Sequence, residues 1–202
     1  MTIERSHGHT HMFVMSFHTM FVRLLLCALP ALVPAAAHAD VTDASADGFT
    51  SVHTIVISGT RERIWQALTA EVGRWWDARH SYSGVASNFS LDARAGGCFC
   101  EALPNGGSVE HLRVVFVDTQ HLIRLAGGLG PLQSMGVAGS MEFTLEDGDS
   151  GTTRLEYRYT VGGYYPGGLD TVASAVDLVQ LGQLQRLKRF VETGTPEPPG
   201  ST

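Results

Sequence analysis

The sequence has few charged residues, and most of the charges that it has are acidic. Charged residues make up 17% of the chain, against roughly 25% in typical soluble proteins. With 14 basic and 20 acidic residues, the formal net charge is −6. Nucleic acid and anionic lipid are therefore poor partners, because both repel an acidic surface. The low charge also predicts a large apolar interior, which suits a protein with a lined cavity.

Several motifs of catalysis and cofactor binding are absent from the sequence. It contains no phosphate-binding glycine loop, no dinucleotide-binding fingerprint and no Ser/His/Asp pattern. Tetrahedral zinc normally takes four ligands at recognisable spacings, whereas Cys98, Cys100 and His111 supply three. We therefore predict no metal and no cofactor.

The first 39 residues have the pattern of an export signal. Arg23 precedes a compact apolar stretch, and Ala37 and Ala39 are the small residues that a signal peptidase accepts before Asp40. The stretch contains prolines and is shorter than the about 20 apolar residues of a membrane span. A retained anchor that begins at Met12 is the alternative. Cleavage would leave an acidic protein, periplasmic or secreted, with no membrane segment.

The rest of the chain is predicted to form one domain, because 202 residues leave too little length for two. Residues 40–48 are small, polar and acidic, and we expect a flexible leader there. Residues 195–202 are rich in proline and have little to bury, which predicts a disordered tail. The globular domain is expected at residues 49–194.

Periodicity predicts an α+β fold. Residues 169–191 carry an apolar stripe at helical spacing, with Asp170 as a candidate N-cap and Gly194 as a stop. Residues 49–161 mostly alternate apolar and polar positions, as antiparallel strands do. A short helix follows the first strand, with Thr60 as its predicted N-cap. The sheet and the long C-terminal helix are expected to bury each other.

The order of these elements resembles a known superfamily. A strand, the helix TRERIWQALT, the motif RWW, strands separated by Gly-Gly turns and a long C-terminal helix are similar to the START-like or SRPBCC superfamily. The resemblance covers residues 49–194 and is nearest the branch named after the activator of the heat-shock-protein-90 ATPase. It implies a helix-grip fold, in which a curved antiparallel sheet wraps around the long helix and leaves a cavity between them. Its implication for function is weaker, because members include lipid carriers, polyketide cyclases and chaperone cofactors.

A cysteine and histidine cluster is predicted at a hairpin. A turn at residues 104–107 pairs Cys100 with His111 and Cys98 with Arg113. Two thiols that face an imidazole could bind a ligand or a soft metal, and the alternative is that the cysteines pack as small apolar residues. A disulfide between them is not expected, since alternate strand residues lie about 6.5 Å apart, at the limit of a relaxed bridge. We predict two free thiols.

Buried amides on the long helix predict a ligand site. Gln180 and Gln183 lie within its apolar stripe, where an amide needs a partner. That partner is either a ligand or trapped water, or else a neighbouring strand. Aromatic residues after the first helix line a pocket or close the core, and the Gly-rich residues 127–139 could form a lid. The predicted ligand-binding residues are Trp75, Trp76, Cys98, Cys100, His111, Met135, Met141, Tyr157, Tyr159, Gln180 and Gln183.

The favoured function is that of an exported protein that binds a small apolar or lipid-like molecule in the cavity. The alternative is an enzyme similar to polyketide cyclases, aromatases or dehydratases, in which His111, Tyr157 and Glu101 act as acid and base. A second alternative, implied by the resemblance, is a chaperone cofactor that acts through protein contact. Leu178 and Leu181 lie off the buried stripe and leave room for a partner or a homodimer.

Overall fold

A computed structural model describes residues 41–200, and the predicted export signal and its cleavage site lie outside them. The described chain follows the predicted α+β order. Its strands are β1 (Val41–Ser45), β2 (Gly48–Ser58), β3 (Phe89–Leu91), β4 (Cys98–Ala102), β5 (Ser108–Asp118), β6 (Leu122–Ala126), β7 (Gly136–Asp147) and β8 (Thr152–Tyr164). Its α-helices are α1 (Arg61–Ala70), α2 (Val72–Trp75) and α3 (Asp170–Thr193).

The strands form one antiparallel sheet in the order β1-β2-β8-β7-β6-β5-β4-β3. Alternate residues turn to one inner face, so that Leu155, Tyr157 and Tyr159 of β8 are all buried. The long helix α3 packs against β1 and β2 and also contacts α1 and α2. This arrangement confirms the predicted helix-grip architecture.

Local signals set the ends of the helices. Thr60 caps α1 as predicted, because its Oγ1 accepts a hydrogen bond from the backbone N–H of Arg63 at 3.2 Å. Gly194 ends α3 in the left-handed conformation, with φ of 81°, which glycine adopts at low cost. At the other end, Asp170 was predicted to be the N-cap of α3. It is instead the first helical residue, and Leu169 occupies the N-cap position.

Two segments predicted to be disordered are ordered where the structure describes them. Residues 41–45 pair with β2 as an edge strand, so the predicted flexible leader is corrected. In the tail, Arg189 Nε donates to the carbonyl of Pro196 at 2.8 Å, and Arg186 lies 2.8 Å from Glu197. Composition missed both segments because backbone hydrogen bonds and arginine contacts hold them in place, and these do not require apolar residues within the segment.

A bulge in β5 changes the predicted hairpin register. Cys98 lies opposite Arg113 as predicted, but the pairing then shifts and Cys100 lies opposite Glu110. His111 is therefore the extra residue of the bulge, and its side chain is buried on the inner face. The predicted cluster of two thiols facing this imidazole is corrected, because the cysteines and His111 lie on opposite faces of the sheet.

Cys98 and Cys100 form a disulfide, which corrects the prediction of two free thiols. The flanking residues Phe99 and Glu101 are buried on the inner face, so the alternating cysteines point outward. The strand is irregular at this point, and the two Cα atoms lie 5.4 Å apart, well within the range of ordinary disulfides. The ideal strand spacing used for the prediction did not allow for this irregularity.

Candidate functional site

A cavity of about 390 Å³ lies between the first half of α3, the loop after α2 and the segment before β7. Its volume falls in the range of roughly 300–1,000 Å³ that is usual for small-molecule sites. Two apolar walls face each other across it. The first comes from α3 and the second from the segment before β7, and they include Val172, Val176 and Val179, and Leu129, Leu132 and Met135.

Tyr159 holds the second wall in place. Its hydroxyl accepts from the backbone N–H of Leu129 and donates to the carbonyl of Gly127, both at 3.0 Å. Burial raises the pKa of Tyr159 to about 12, so the side chain stays a neutral hydroxyl that can make both bonds. Tyr159 therefore positions the predicted lid segment without lining the cavity.

A buried histidine–carboxylate pair closes one end of the cavity. Nε2 of His111 lies 3.0 Å from Oε2 of Glu101, and the two residues are 4% and 1% exposed. Glu101 also accepts the backbone N–H groups of Tyr82, at 3.1 Å, and Ser83, at 2.5 Å. The carboxylate thus has three donors from the loop after α2 and from β5, while His111 lines the cavity.

Hydrogen bonding and burial set the charges of this pair. Burial raises the pKa of Glu101, but the hydrogen bonds from Ser83, Tyr82 and His111 outweigh it and hold the pKa below 4.5. Burial lowers the pKa of His111 below 6.5, against the opposing effect of Glu101. At neutral pH the pair is therefore a carboxylate and a neutral imidazole. Since a carboxylate can only accept, the imidazole proton is on Nε2.

Two of the mostly buried side chains at the cavity carry polar atoms without a hydrogen-bond partner in the described chain. Nδ1 of His111 is buried and has no hydrogen-bond partner among residues 41–200. The amide of Gln180 lines the same cavity and makes no hydrogen bond to the described chain, although the residue is only 5% exposed. The amide of Gln180 is not among the fully buried unpaired atoms and is a place where a ligand or water would bind, whereas Nδ1 of His111 is fully enclosed and has essentially no accessible surface.

Aromatic rings fix the orientation of His111. The imidazole is stacked against Phe89, with ring centroids 5.2 Å apart, and against Tyr82 at 5.8 Å. Phe99 lies 5.5 Å away at a tilted angle. Packing on several sides restricts rotation of the ring and keeps Nε2 on Glu101.

A second buried histidine–carboxylate pair was not predicted from the sequence. Nε2 of His53, on β2, lies 2.9 Å from Oδ1 of Asp177, on α3, and Ser51 Oγ donates to the same carboxylate oxygen. Asp177 and Ser51 are both 0% exposed. A sequence signal existed, because Asp177 lies four residues after the stripe residue Ala173 and therefore on the buried side of the helix.

This second pair does not have the geometry of a nucleophilic triad. Ser51 Oγ lies 3.3 Å from Nε2 of His53, which is the same ring nitrogen that contacts Asp177. In a catalytic triad the serine and the aspartate contact opposite ring nitrogens. The three residues therefore join β2 to α3 and do not activate Ser51.

Four of the predicted ligand-binding residues line the cavity, namely Trp76, His111, Met135 and Gln180. The others lie elsewhere. Trp75 is in the core and donates its indole N–H to the carbonyl of Ala67 at 2.8 Å. Met141, Tyr157 and Tyr159 are buried on the inner face of the sheet, whereas Cys98 and Cys100 are on its outer face.

Gln183 has a protein partner in place of a ligand. Its Oε1 accepts from the backbone N–H of Asp77 at 3.0 Å, while its Nε2 has no partner among the described residues. The residue borders a separate depression between α3 and the tail. A neighbouring strand was the alternative partner predicted for Gln183. The structure shows that the partner is the loop after α2.

The predicted catalytic group is only partly assembled. His111 and Glu101 are in contact, but Tyr157 stacks on His53, with ring centroids 6.0 Å apart. Tyr82 is the tyrosine that contacts His111. Tyr82 is one of the aromatic residues after the first helix that were predicted to line a pocket or close the core, and it lines the cavity. The sequence did not mark it as the tyrosine beside His111, because it lies in a loop with no periodic pattern.

Within residues 41–200, no three His, Cys, Asp or Glu side chains are grouped to hold a metal ion. In the same part of the chain, no helix is long and apolar enough to cross a membrane. Leu178 is 54% exposed on α3, and the homodimer stays a prediction.

No protein-family model and no curated protein matches the chain. Solved structures do match it. A protein of unknown function from Enterococcus faecalis, EF2215, has 15% identity and a TM-score of 0.55, over 79% of this chain and 80% of that chain. DynU16, described as a putative protein in the dynemicin biosynthetic locus, has 19% identity and a TM-score of 0.51, over 73% of this chain and 48% of that chain.

Ara h 8.0201 is a third match, with 13% identity and a TM-score of 0.51, over 72% of this chain and 99% of that chain. Identities this low show a shared fold and leave function open. The chain is therefore a helix-grip domain with an apolar cavity that ends at a histidine–glutamate pair. The branch named after the heat-shock-protein-90 ATPase activator has no support in these likenesses and stays a prediction.

Proposed function

We propose that the protein binds a small, largely apolar molecule in the cavity between α3 and the segment before β7. The observation that carries this proposal is an apolar cavity of about 390 Å³ whose lining includes the amide of Gln180, which makes no hydrogen bond to the described chain. Apolar surface removed from water contributes roughly 25 cal/mol per Å². Unpaired buried polar groups cost free energy, and a bound molecule with one matching polar group would remove that cost.

The proposal includes export of the mature protein to the periplasm or the medium. Two features support it. Ala37 and Ala39 precede Asp40 in the pattern of a cleavage site, and Cys98 and Cys100 are joined in a disulfide, a bond that persists mainly in oxidising compartments. N-terminal sequencing of protein recovered from the host should begin at Asp40, and an intact chain in the membrane fraction would favour the anchor.

Binding can be tested with 1-N-phenylnaphthylamine, whose fluorescence rises in apolar surroundings. We expect saturable binding to the wild type and loss of binding in Val176→Trp, because the indole would fill the cavity. Ser174→Trp is the matched control, since Ser174 is exposed on the same helix and does not line the cavity. Equal binding by both variants, or none by the wild type, would contradict the proposal. Native mass spectrometry of protein purified from its host would then identify the natural ligand.

A cyclase- or dehydratase-like enzyme is the second candidate, and the position of the His111–Glu101 pair at the cavity favours it. In this version Nδ1 of His111, which is enclosed in the free protein, would have to become accessible to a bound carbonyl compound and take a proton from it, and Glu101 would stabilise the imidazolium that forms. Tyr157 has no part in this version, because it lies beside His53. Turnover of an aromatic polyketide that is lost in His111→Gln, with binding retained, would support the enzyme over the binding protein.

A further inference from the structure

We propose that the disulfide between Cys98 and Cys100 is a reversible redox site, which exchanges with the thiolate of another molecule while the domain stays folded. The inference goes beyond the proposed function, because these cysteines lie on the outer face of the sheet and do not line the cavity. Its substrates share a thiol group, carried either by a small molecule such as glutathione or by a protein.

The position of the disulfide makes it accessible. Exchange requires an attacking thiolate to reach one of the two sulfur atoms. Cys98 and Cys100 are both partly exposed, in contrast to their buried neighbours Phe99 and Glu101. Because β4 is paired with β3 on one side and β5 on the other, its backbone is largely covered and the exposed surface belongs mainly to the side chains. A thiolate can therefore approach the disulfide without opening the core.

The fold does not depend on the disulfide. The bond joins residues only two positions apart, and short loops contribute least to stability in the chain-entropy model. Other contacts keep β4 in place, namely its pairing with β5, the burial of Phe99 and three hydrogen bonds to the carboxylate of Glu101. Even an ideal strand would place the two cysteine Cα atoms only about 6.5 Å apart. The bond can therefore re-form after reduction without a large movement.

The cross-strand neighbours make the two sulfur atoms unequal. Arg113 lies opposite Cys98, and Glu110 lies opposite Cys100. A neighbouring cation stabilises a thiolate, and the sulfur that forms the more stable thiolate leaves faster. We therefore assign Cys98 as the leaving group. Arg113 is also 2.7 Å from Glu110, and both side chains are about half exposed, so the expected difference in rate is only a few-fold.

The exchange balances as a two-electron reaction. The incoming thiolate forms a bond to Sγ of Cys100, the bond between Cys98 and Cys100 breaks, and the electron pair leaves on Sγ of Cys98. A second thiolate then attacks the incoming sulfur of this mixed disulfide and releases Cys100. Two external thiols are thereby oxidised to a disulfide, and their two protons go to the reduced cysteines. The reverse reaction with an external disulfide restores the bond.

Reaction of oxidised protein that begins at Asp40 with two reductants tests the proposal. Glutathione represents a small thiol, and reduced thioredoxin represents a protein dithiol. We expect at least one of them to open the disulfide, measured by alkylation and mass spectrometry, and oxidised glutathione to close it again. The faster reductant identifies the source of the thiol. A bond that stays intact with both would overturn the proposal.

Urea distinguishes exchange in the folded state from exchange after unfolding. In folded molecules, 1 M urea should change the rate of reduction by less than about twofold. A bond that reacts only in unfolded molecules would react at least about fivefold faster, because urea raises their population. Acceleration of that size would overturn the proposal. The reduced protein should also keep the near-ultraviolet circular dichroism of the oxidised form, and loss of that signal would show that the bond is structural.

Arg113→Gln tests the leaving group. We expect reduction to slow about threefold, because the thiolate of Cys98 loses its neighbouring cation. Arg158→Gln is the matched control, since it removes the same charge from an exposed position on β8, four strands away from β4. Tandem mass spectrometry of the trapped mixed disulfide should place glutathione on Cys100. Glutathione mainly on Cys98, or equal rates in the two variants, would overturn the assignment.

Discussion

The two buried histidine–carboxylate pairs have nearly the same contact distance and different surroundings. His111 and Glu101 are 3.0 Å apart, and His53 and Asp177 are 2.9 Å apart. In the first pair, backbone N–H groups of the loop after α2 donate to Glu101, and His111 lines the cavity. In the second, the carboxylate is fully buried and joins the helix to the sheet. Each pair leaves one buried atom without a partner in the described chain, Nδ1 of His111 in the first and Oδ2 of Asp177 in the second. The comparison therefore teaches that contact with the cavity, which only His111 has, distinguishes a candidate site from a structural contact.

The largest expected effect is on stability, at the second pair. Asp177→Ala removes the partner of both His53 and Ser51 in a place that water does not reach. Breaking a buried pair in this way costs about 3 kcal/mol or more. The measurement is the free energy of unfolding in urea, with Ser174→Ala on the same helix as a control expected within about 0.5 kcal/mol. A loss for Asp177→Ala no larger than the control's would contradict the structural role.

The first pair should show its effect through pH. The pKa of His111 is lowered on folding, so the unfolded chain binds its proton more readily and stability falls as pH drops below about 6.5. The lowered pKa of Glu101 contributes stability above about 4.5, which is lost as pH falls through its folded value. Unfolding free energies from pH 8 to pH 3 should therefore decline in both ranges.

Two variants separate these contributions. His111→Phe should flatten the decline that begins below about pH 6.5, and Glu101→Gln should flatten the one below about pH 4.5. Because Gln can no longer accept all three hydrogen bonds, we expect Glu101→Gln to cost about 2 kcal/mol at pH 7. Profiles that keep the wild-type shape in both variants would show that the pair does not titrate as described.

Removal of the disulfide should have a smaller effect, on stability and not on ligand binding. Protein that begins at Asp40 should show no free thiols under denaturing, non-reducing conditions, because both of its cysteines are paired. Closing so short a loop contributes about 1.5 kcal/mol in the chain-entropy model. The double variant Cys98→Ser, Cys100→Ser should therefore unfold slightly more easily and bind 1-N-phenylnaphthylamine normally. Two titratable thiols per chain would restore the original prediction.

The smallest difference is expected between the two glutamines of α3. Gln183→Leu leaves the backbone N–H of Asp77 unpaired but also removes an unpaired Nε2, for a net cost of about 1 kcal/mol. Gln180→Leu breaks no hydrogen bond of the described chain and should leave stability level or higher. Affinity for biphenyl-4-ol, an apolar molecule with one polar group, should fall only in Gln180→Leu. Thermal unfolding and calorimetry of both variants check this, and the opposite pattern would return Gln183 to the ligand site.

The fold was predictable because its signals are local. The helix stop at Gly194, the cap at Thr60 and the alternation along β8 depend on neighbours a few residues away. Those signals fixed the order of the elements. They also showed which face of the sheet and which side of α3 are buried. They also placed Gln180 on the buried side of the long helix.

The candidate site was only partly predictable because it depends on contacts between distant residues. Alternation cannot show the bulge that turns His111 inward and separates it from Cys100. The partner of Asp177 is a strand more than 100 residues earlier in the chain, so its burial could be inferred but not its role. The cavity occupies one end of the inner face because Tyr157 and Met141 belong to the buried core elsewhere, a packing outcome that no single segment encodes.

The most direct test of the account is a methyl NMR titration of the wild-type protein with biphenyl-4-ol. The methyl groups of Leu132, Val176 and Val179 line the cavity and should shift with the ligand. Those of Leu155 and Val161, which are buried on β8 away from the cavity lining, should not. Shifts confined to the β8 residues, or no shifts at a ligand concentration that saturates calorimetry, would contradict binding in the cavity beside His111.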